Sequence, residues 1–272
     1  MARGAMRGAS ADALAVLTSE LESRLQGGAD ASRIGDDLFT VSSVLRSEPA
    51  LRRIATDASV DSSAKVGLVT EIFGGRVDQN SLDLFGSAVS RRWTVSRDLA
   101  DALEHLGEVA VVRSAGDDSG RLADELFAYG QTVNDNPGLR DALSDPSRSQ
   151  DDKARLVHSL LDGKALPATV TLAQQALAGT YRTVAAALAT YQQVAATVHG
   201  QRVATVRVAH PLSDADRQRL TDALSRQYDR QIHLNVVVDP DVLGGIKVEV
   251  GDDVIDGTVA NRLDDARRSL AG

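Results

Sequence analysis

Chemistry needs particular side chains at particular spacings, and three sets of residues in this chain invite the test. The histidines are His105, His158, His199, His210 and His233. No two stand four residues apart, the spacing by which one helix face offers two imidazoles to a zinc ion. Asp239 with Asp241, and Asp252, Asp253 and Asp256, supply enough carboxylate for a calcium site or an acid–base pair. They lack the spaced ligands and terminal glutamate of a calcium loop, and turn and cap roles account for them. Gly244 and Gly245 belong to no GxxxxGK[ST] or GxGxxG phosphate loop, and no GxSxG elbow presents a serine. With no cysteine, thiolate catalysis, disulfides and cysteine-zinc sites are all closed. The chain is therefore expected to have no catalytic residue, no metal and no cofactor.

Composition narrows the class further. A chain of 272 residues with 43% hydrophobic content suits two globular domains. Aromatics reach only 3%, and the dominance of alanine and leucine favours helix bundles. A formal net charge of −8 argues against a nucleic-acid backbone as partner. No run of 18 apolar residues is present, so no membrane insertion is expected. The opening MARGAMRGASADAL is basic without a following apolar segment, unlike a secretory signal. A soluble, cytoplasmic protein is expected.

The elements that carry these residues begin with helices. Leu14, Leu17, Leu21 and Leu25 set a helical period over 10–25. Further helical patterns cover 33–46, 49–57, 62–73, 79–93 and 96–112, and a polar, glycine-bearing stretch at 114–120 reads as a linker. A shift of 88 residues then pairs Pro49 with Pro137, Phe39 with Phe127, Arg33 with Arg121 and Asp36 with Asp124. In the same register fall Leu51/Leu139, Arg52/Arg140, Asp57/Asp145, Ser59/Ser147, Lys65/Lys153, Gly75/Gly163 and Leu84/Leu172. Identities at Pro, Phe, Gly and charged positions exceed what shared composition produces, so a helical unit is duplicated. Residues 167–200 continue as helix, in two pieces meeting near Gly179.

Strands follow. Residues 203–208 read as a strand, and Ser213 with Asp216 three residues on is a capping arrangement that opens a helix through Leu220, Leu224 and Tyr228. Ile232, Leu234, Val236 and Val238 alternate with His233, Asn235 and Val237, which predicts one buried and one open face. Ile246, Val248 and Val250 repeat the period, Gly251-Asp252-Asp253 turns the chain, and Val254-Ile255 forms a short last strand. Val259, Leu263, Ala266 and Leu270 share a helical stripe, with Asp264 placed to pair with Arg268. Gly244-Gly245 is placed for positive φ, and Asp256 or Thr258 for a cap.

The stretch LGGIKVEVGDDVIDGTVANRLDDARRSL resembles the C-terminal signature of the delta subunit family of bacterial F-type ATP synthases, relatives of the mitochondrial oligomycin-sensitivity-conferring protein. Gly244, Gly245, Gly251, Asp252, Asp256, Gly257 and Leu263 match in order and spacing. Asn136-Pro137-Gly138-Leu139-Arg140, Ser147 to Lys153 and Leu156 to Leu161 resemble the family's N-terminal helical domain. The extra helical copy resembles the enlarged delta region of actinobacterial enzymes.

The resemblance implies a mainly α fold, with tandem helical bundles and a small α/β C-terminal domain. The expected domains are 1–115, the extra bundle; 116–200, the family's N-terminal bundle; and 201–272, the α/β domain. It implies a non-catalytic stator subunit, one copy in a hetero-oligomeric complex at the cytoplasmic face of the cell membrane. Its partners would be the N-terminal helices of the alpha subunits and the end of the b subunit, with no nucleic acid. By order along the chain, Leu14, Leu17 and Leu21 with Leu82, Phe85 and Val89 are the expected groove for alpha. The alternative is a helical adaptor or regulatory scaffold of another complex. An enzyme with an unrecognised site is a third reading, separated by assay for turnover.

Overall fold

The computed structural model describes residues 6–178, 180–242, 244–259 and 261. Its helices are α1 (Ala9–Gln26), α2 (Ala31–Ser47), α3 (Pro49–Thr56), α4 (Ser62–Phe73), α5 (Gln79–Val89) and α6 (Ser96–Ser114), then α7 (Ser119–Asp135), α8 (Pro137–Ser144), α9 (Gln150–Leu161), α10 (Pro167–Gln175), α11 (Val184–Val198) and α12 (Asp214–Tyr228). The strands are β1 (Gln201–Val208), β2 (Gln231–Val238), β3 (Ile246–Val250) and β4 (Asp253–Asp256). The chain divides into two compact units, Met1–Tyr191 and Gln192–Gly272, with the division inside α11.

The first unit is the duplication made visible. Adding 88 to the first residues of α2, α3, α4, α5 and α6 gives 119, 137, 150, 167 and 184, where α7, α8, α9, α10 and α11 begin. The local chemistry repeats with the register. Asp57 accepts from the Ser59 backbone N–H at 2.8 Å and its hydroxyl at 2.7 Å, and Asp145 does the same with Ser147 at 2.8 and 2.7 Å. These Asx turns end α3 and α8, and the next helices start on caps from Asp61 and Ser149. Pro49 and Pro137 open their helices where a missing N–H costs nothing. Gly75 and Gly163 both take positive φ, 73° and 69°.

One helix serves both copies. Shifted by 88, α1 falls on 97–114, which is α6. So α1 packs on α5 and α6 in the first copy, while α6 packs on α10 in the second. The expected linker at 114–120 is a single 3-10 turn, Gly116–Asp118, between α6 and α7. The boundary expected at 115/116 thus lies at the end of a helix that both copies use. Against α6 lies α2, at a close crossing: a Cβ on Gly35 would meet Val111 Cγ2 at 2.4 Å, and one on Gly107 would meet Phe39 Cδ1 at 2.8 Å. The duplicated positions are Ala123 and Ala195, so only the first copy has glycine at this crossing.

The second unit is a four-stranded sheet in the order β2-β1-β3-β4. β1 pairs with β2 in parallel through α12, while β3 runs antiparallel to both β1 and β4. Its core is Ala204, Val206, Val208, Ile232, Leu234, Val248 and Val250, with Leu224 of α12 packed on it. The alternation over β2 needs one correction. Asn235, expected on an open face, is 2% exposed and exchanges two amide hydrogen bonds with Gln192, at 2.8 and 2.9 Å. The end of α11 covers that face, and a buried amide keeps its place there by pairing with another. Val238, expected on the buried side, is 47% exposed at the strand's end. The stripe at Leu263, Ala266 and Leu270, the Asp264–Arg268 pair and the meeting point at Gly179 lie outside the described residues.

Candidate partner-binding surface

In the helical unit, the expected groove residues sit on two neighbouring helices, α1 and α5. Leu17, Leu21, Phe85 and Val89 are fully buried, Leu82 is 7% exposed and Leu14 is half-buried. Phe85 stacks edge-on against Phe73 with centroids 5.4 Å apart. These side chains hold α1 onto α5 and form the base under any groove between them.

What a partner would meet is a different set of residues. Along the α1–α5 seam Glu20 accepts from Ser87 Oγ at 3.0 Å and from Arg91 at 2.7 Å. Arg24 reaches Asp83 at 3.5 Å and Asn80 at 3.5 Å. Beside this polar seam, Asp12, Ala15, Val16, Ser19 and Ser23 form an exposed stripe along α1, with Val16 42% exposed. The back of α1 is fixed by Glu22, which accepts from Arg113 of α6 at 2.8 and 3.0 Å. The N-terminal end is held by Ser10, which donates to Asp98 at 2.6 Å. The apolar period of the sequence marked side chains that face the interior between α1 and α5. The seam ion pairs escaped it, because their partners stand 59 to 71 positions apart.

In the C-terminal unit, the signature glycines and aspartates build a closure rather than a binding loop. Gly244 and Gly245 take φ of 142° and 81°, as their position before a strand predicts. A Cβ on Gly245 would lie 2.4 Å from the Gly257 carbonyl oxygen, so the chain can cross there only as glycine. Gly257 N–H donates to Ile246 O at 2.9 Å and Val259 N–H to Gly244 O at 3.0 Å, fastening the segment after β4 to the start of β3. Asp256 accepts from the Thr258 N–H at 3.0 Å and hydroxyl at 2.6 Å, and Thr258 in turn accepts from Asn261 N–H at 3.3 Å. The Thr258 hydroxyl and backbone bonds hold the Asp256 carboxyl below the usual carboxylate range. Gly251-Asp252 is the two-residue turn joining β3 to β4, with φ 61° at Gly251. Leu263 lies outside the described residues. The edge strand β4 leaves Val254 58% and Ile255 38% exposed.

Among the described residues no three His, Cys, Asp or Glu side chains converge as a metal site. His105 sits 3.2 Å from Glu108, which also accepts from the Tyr181 hydroxyl at 3.3 Å, and His158 sits 3.8 Å from Asp162, the cap residue of α9. Among the described residues no helix is long and apolar enough to cross a membrane.

Comparison with known proteins adds to this geometry. The profile of a family described as ATP synthase delta (OSCP) subunit matches residues 108–270, from within α6 to near the end, so α1 to α5 precede the match. The chain is 54% identical over 268 residues to the ATP synthase subunit delta of a Nocardioides species, with 98% of each chain covered. It is 47% identical to that of Kineococcus radiotolerans over 90% of each chain. With that of Streptomyces avermitilis it shares 40% identity over 97% of this chain and 98% of the other.

Proposed function

The chain belongs to the ATP synthase delta (OSCP) family, as a non-catalytic stator subunit, and on that premise we propose that it ties the alpha subunits of the catalytic head to the b subunit of the peripheral stalk. The helical unit takes the N-terminal helices of the alpha subunits and the small α/β unit takes the end of b. One copy serves each complex, at the cytoplasmic face of the cell membrane. The observation that carries this reading is the full-length similarity to actinobacterial delta subunits on a chain that divides into two units, each with its own core.

The physical task is to resist torque. While the rotor turns, drag would carry the head with it and uncouple proton flow from nucleotide chemistry. A stator linker must therefore hold two partners at once, so that release of one leaves it tethered by the other. Amphipathic helix in groove is the recognition mode that suits paired helices such as α1 and α5, with anchors at i, i+3, i+4 and i+7. Leu17, Leu21, Phe85 and Val89 hold that groove in shape from beneath, and Leu14 and Leu82 flank them.

The test uses the full chain with two probes, a peptide of the alpha subunit's N-terminal segment and the soluble part of b. Both are expected to bind, simultaneously and without competing. A charge placed on the exposed stripe, as in Val16→Glu, should weaken the alpha peptide alone. Binding of neither probe, or competition between them, overturns the linker reading.

A further inference from the structure

The duplication raises the question of how many partner helices the helical unit can hold. Two copies bring two helix pairs of the same kind, α1 with α5 and, 88 residues on, α6 with α10. Only one of the two is open. On α1 the stripe Asp12, Ala15, Val16, Ser19 and Ser23 is exposed. The residues in register on α6 are Ala100, Leu103, Glu104, Gly107 and Val111, which are buried.

What buries them is α2. Ser42 donates to the Ala100 carbonyl at 2.9 Å, Arg46 pairs with Glu104, and Gly35 and Phe39 close on Gly107 and Val111. The same helix also touches α10, and Phe39, Ser43 and Arg46 line a cleft with Gln175, Ala178 and Thr180 from the α10 side. Thus α2 lies along α6 beside α10, where a helix bound between α1 and α5 would lie in the first copy.

We propose that α2 fills the second copy's helix-binding groove from within the chain, leaving the α1–α5 groove as the one bundle site for a partner helix. This rests on the reading that the partner is an alpha-subunit helix. The way α2 is held describes the occupant that the open groove takes. It is an amphipathic helix with a small residue where Gly35 stands on α2, here facing Ser19 and Ser23. The exposed Asp12 at the end of the stripe adds a place for a cation that α2 itself does not need. Glycine at both sides of the α2–α6 crossing gives that internal helix a closer approach than a serine-lined face allows, so the internal occupant is not exchanged for a partner.

Isothermal titration of the full chain with the alpha N-terminal peptide tests this, alongside two variants at exposed positions. Ser19→Trp places bulk in the α1–α5 groove, and Ala178→Trp places it at the α2–α10 joint; circular dichroism confirms that each keeps its helices. The expected results are one peptide per chain, binding weakened about tenfold or more by Ser19→Trp, the scale of a lost central contact, and no change with Ala178→Trp. Two peptides per chain, weakening by Ala178→Trp, or a Ser19→Trp variant that binds as before would each overturn the proposal while leaving alpha as the partner. A wild-type chain that binds no peptide refutes the alpha reading itself, and this inference with it.

Discussion

Single residues carry the least visible differences between the copies. Tyr129 of the second copy stands where the first has Val41, and it is 5% exposed with a hydroxyl that finds no hydrogen-bond partner among the described residues. Burial pushes its phenol up to about 12. A buried hydroxyl without a partner has lost its water and gained nothing, so Tyr129→Phe is expected to leave thermal stability unchanged or raise it, by up to about 1 kcal/mol. A fall in melting temperature would show that the hydroxyl holds a bond. Asp57 and Asp145 are the opposite case. Ser59 and Ser147 hydroxyls, then their backbone N–H groups, hold these carboxyls below the usual range. Because the folded value is depressed, the stabilisation is present above the unfolded value of about 3.9 and is lost as pH falls through the folded one. NMR titration of the carboxyl carbons should show Asp57 rising towards its ordinary value in Ser59→Ala while Asp145 stays low.

Elements set how close the helices come. Gly107 and Gly130 are both helical glycines, and their surroundings predict opposite responses to alanine. At Gly107 the new methyl would lie 2.8 Å from Phe39 ring atoms and 3.2 Å from the Gly35 carbonyl oxygen. The α2–α6 crossing would have to widen, at an overpacking cost of about 1–3 kcal/mol. At Gly130 the nearest atom is Leu188 Cβ at 3.9 Å, an ordinary contact. Gly130→Ala should therefore stabilise α7 by about 0.5–1 kcal/mol through lost backbone freedom in the unfolded chain. Urea unfolding of the two variants checks both signs. A midpoint that rises for Gly107→Ala would mean the crossing is looser than its distances.

At the scale of the whole molecule, the test is mechanical. Ending the chain after Val238 removes β3, one of the two strands that pair with β1, and with it Val248 and Val250, each 2% exposed. Every such side chain is worth roughly 1.5–3 kcal/mol, more than so small a sheet can spare. The C-terminal unit should unfold, while the helical unit keeps its own core. ATP hydrolysis by the head should persist, since its catalytic sites lie on other subunits, but hydrolysis should no longer drive protons. Paired measurement of ATPase rate and proton pumping in membrane vesicles decides it, and normal pumping with the shortened chain would sink the stator role of this unit.

The sequence alone determined the features whose physics is local or repeats. Helix starts were legible at Pro49 and Ser213, because caps and proline act on the next turn. The strand periods of β1 and β3 were legible because alternation is written in neighbouring residues. The 88-residue register announced the second copy, since a duplicated core keeps its Pro, Gly and paired polar positions. Tertiary structure decided what depends on residues far apart. Nothing near Asn235 announces Gln192, 43 positions earlier, so its burial had to come from packing. Leu17 and Phe85 carry the apolar stripe of a groove helix and of a core helix alike, and only the neighbouring elements showed that they lie beneath the surface. The shared use of α6 was likewise hidden. Its residues diverged from those of α1 because α6 is enclosed by α2 and α10, whereas one side of α1 faces water, and burial on extra faces selects different side chains at the same positions.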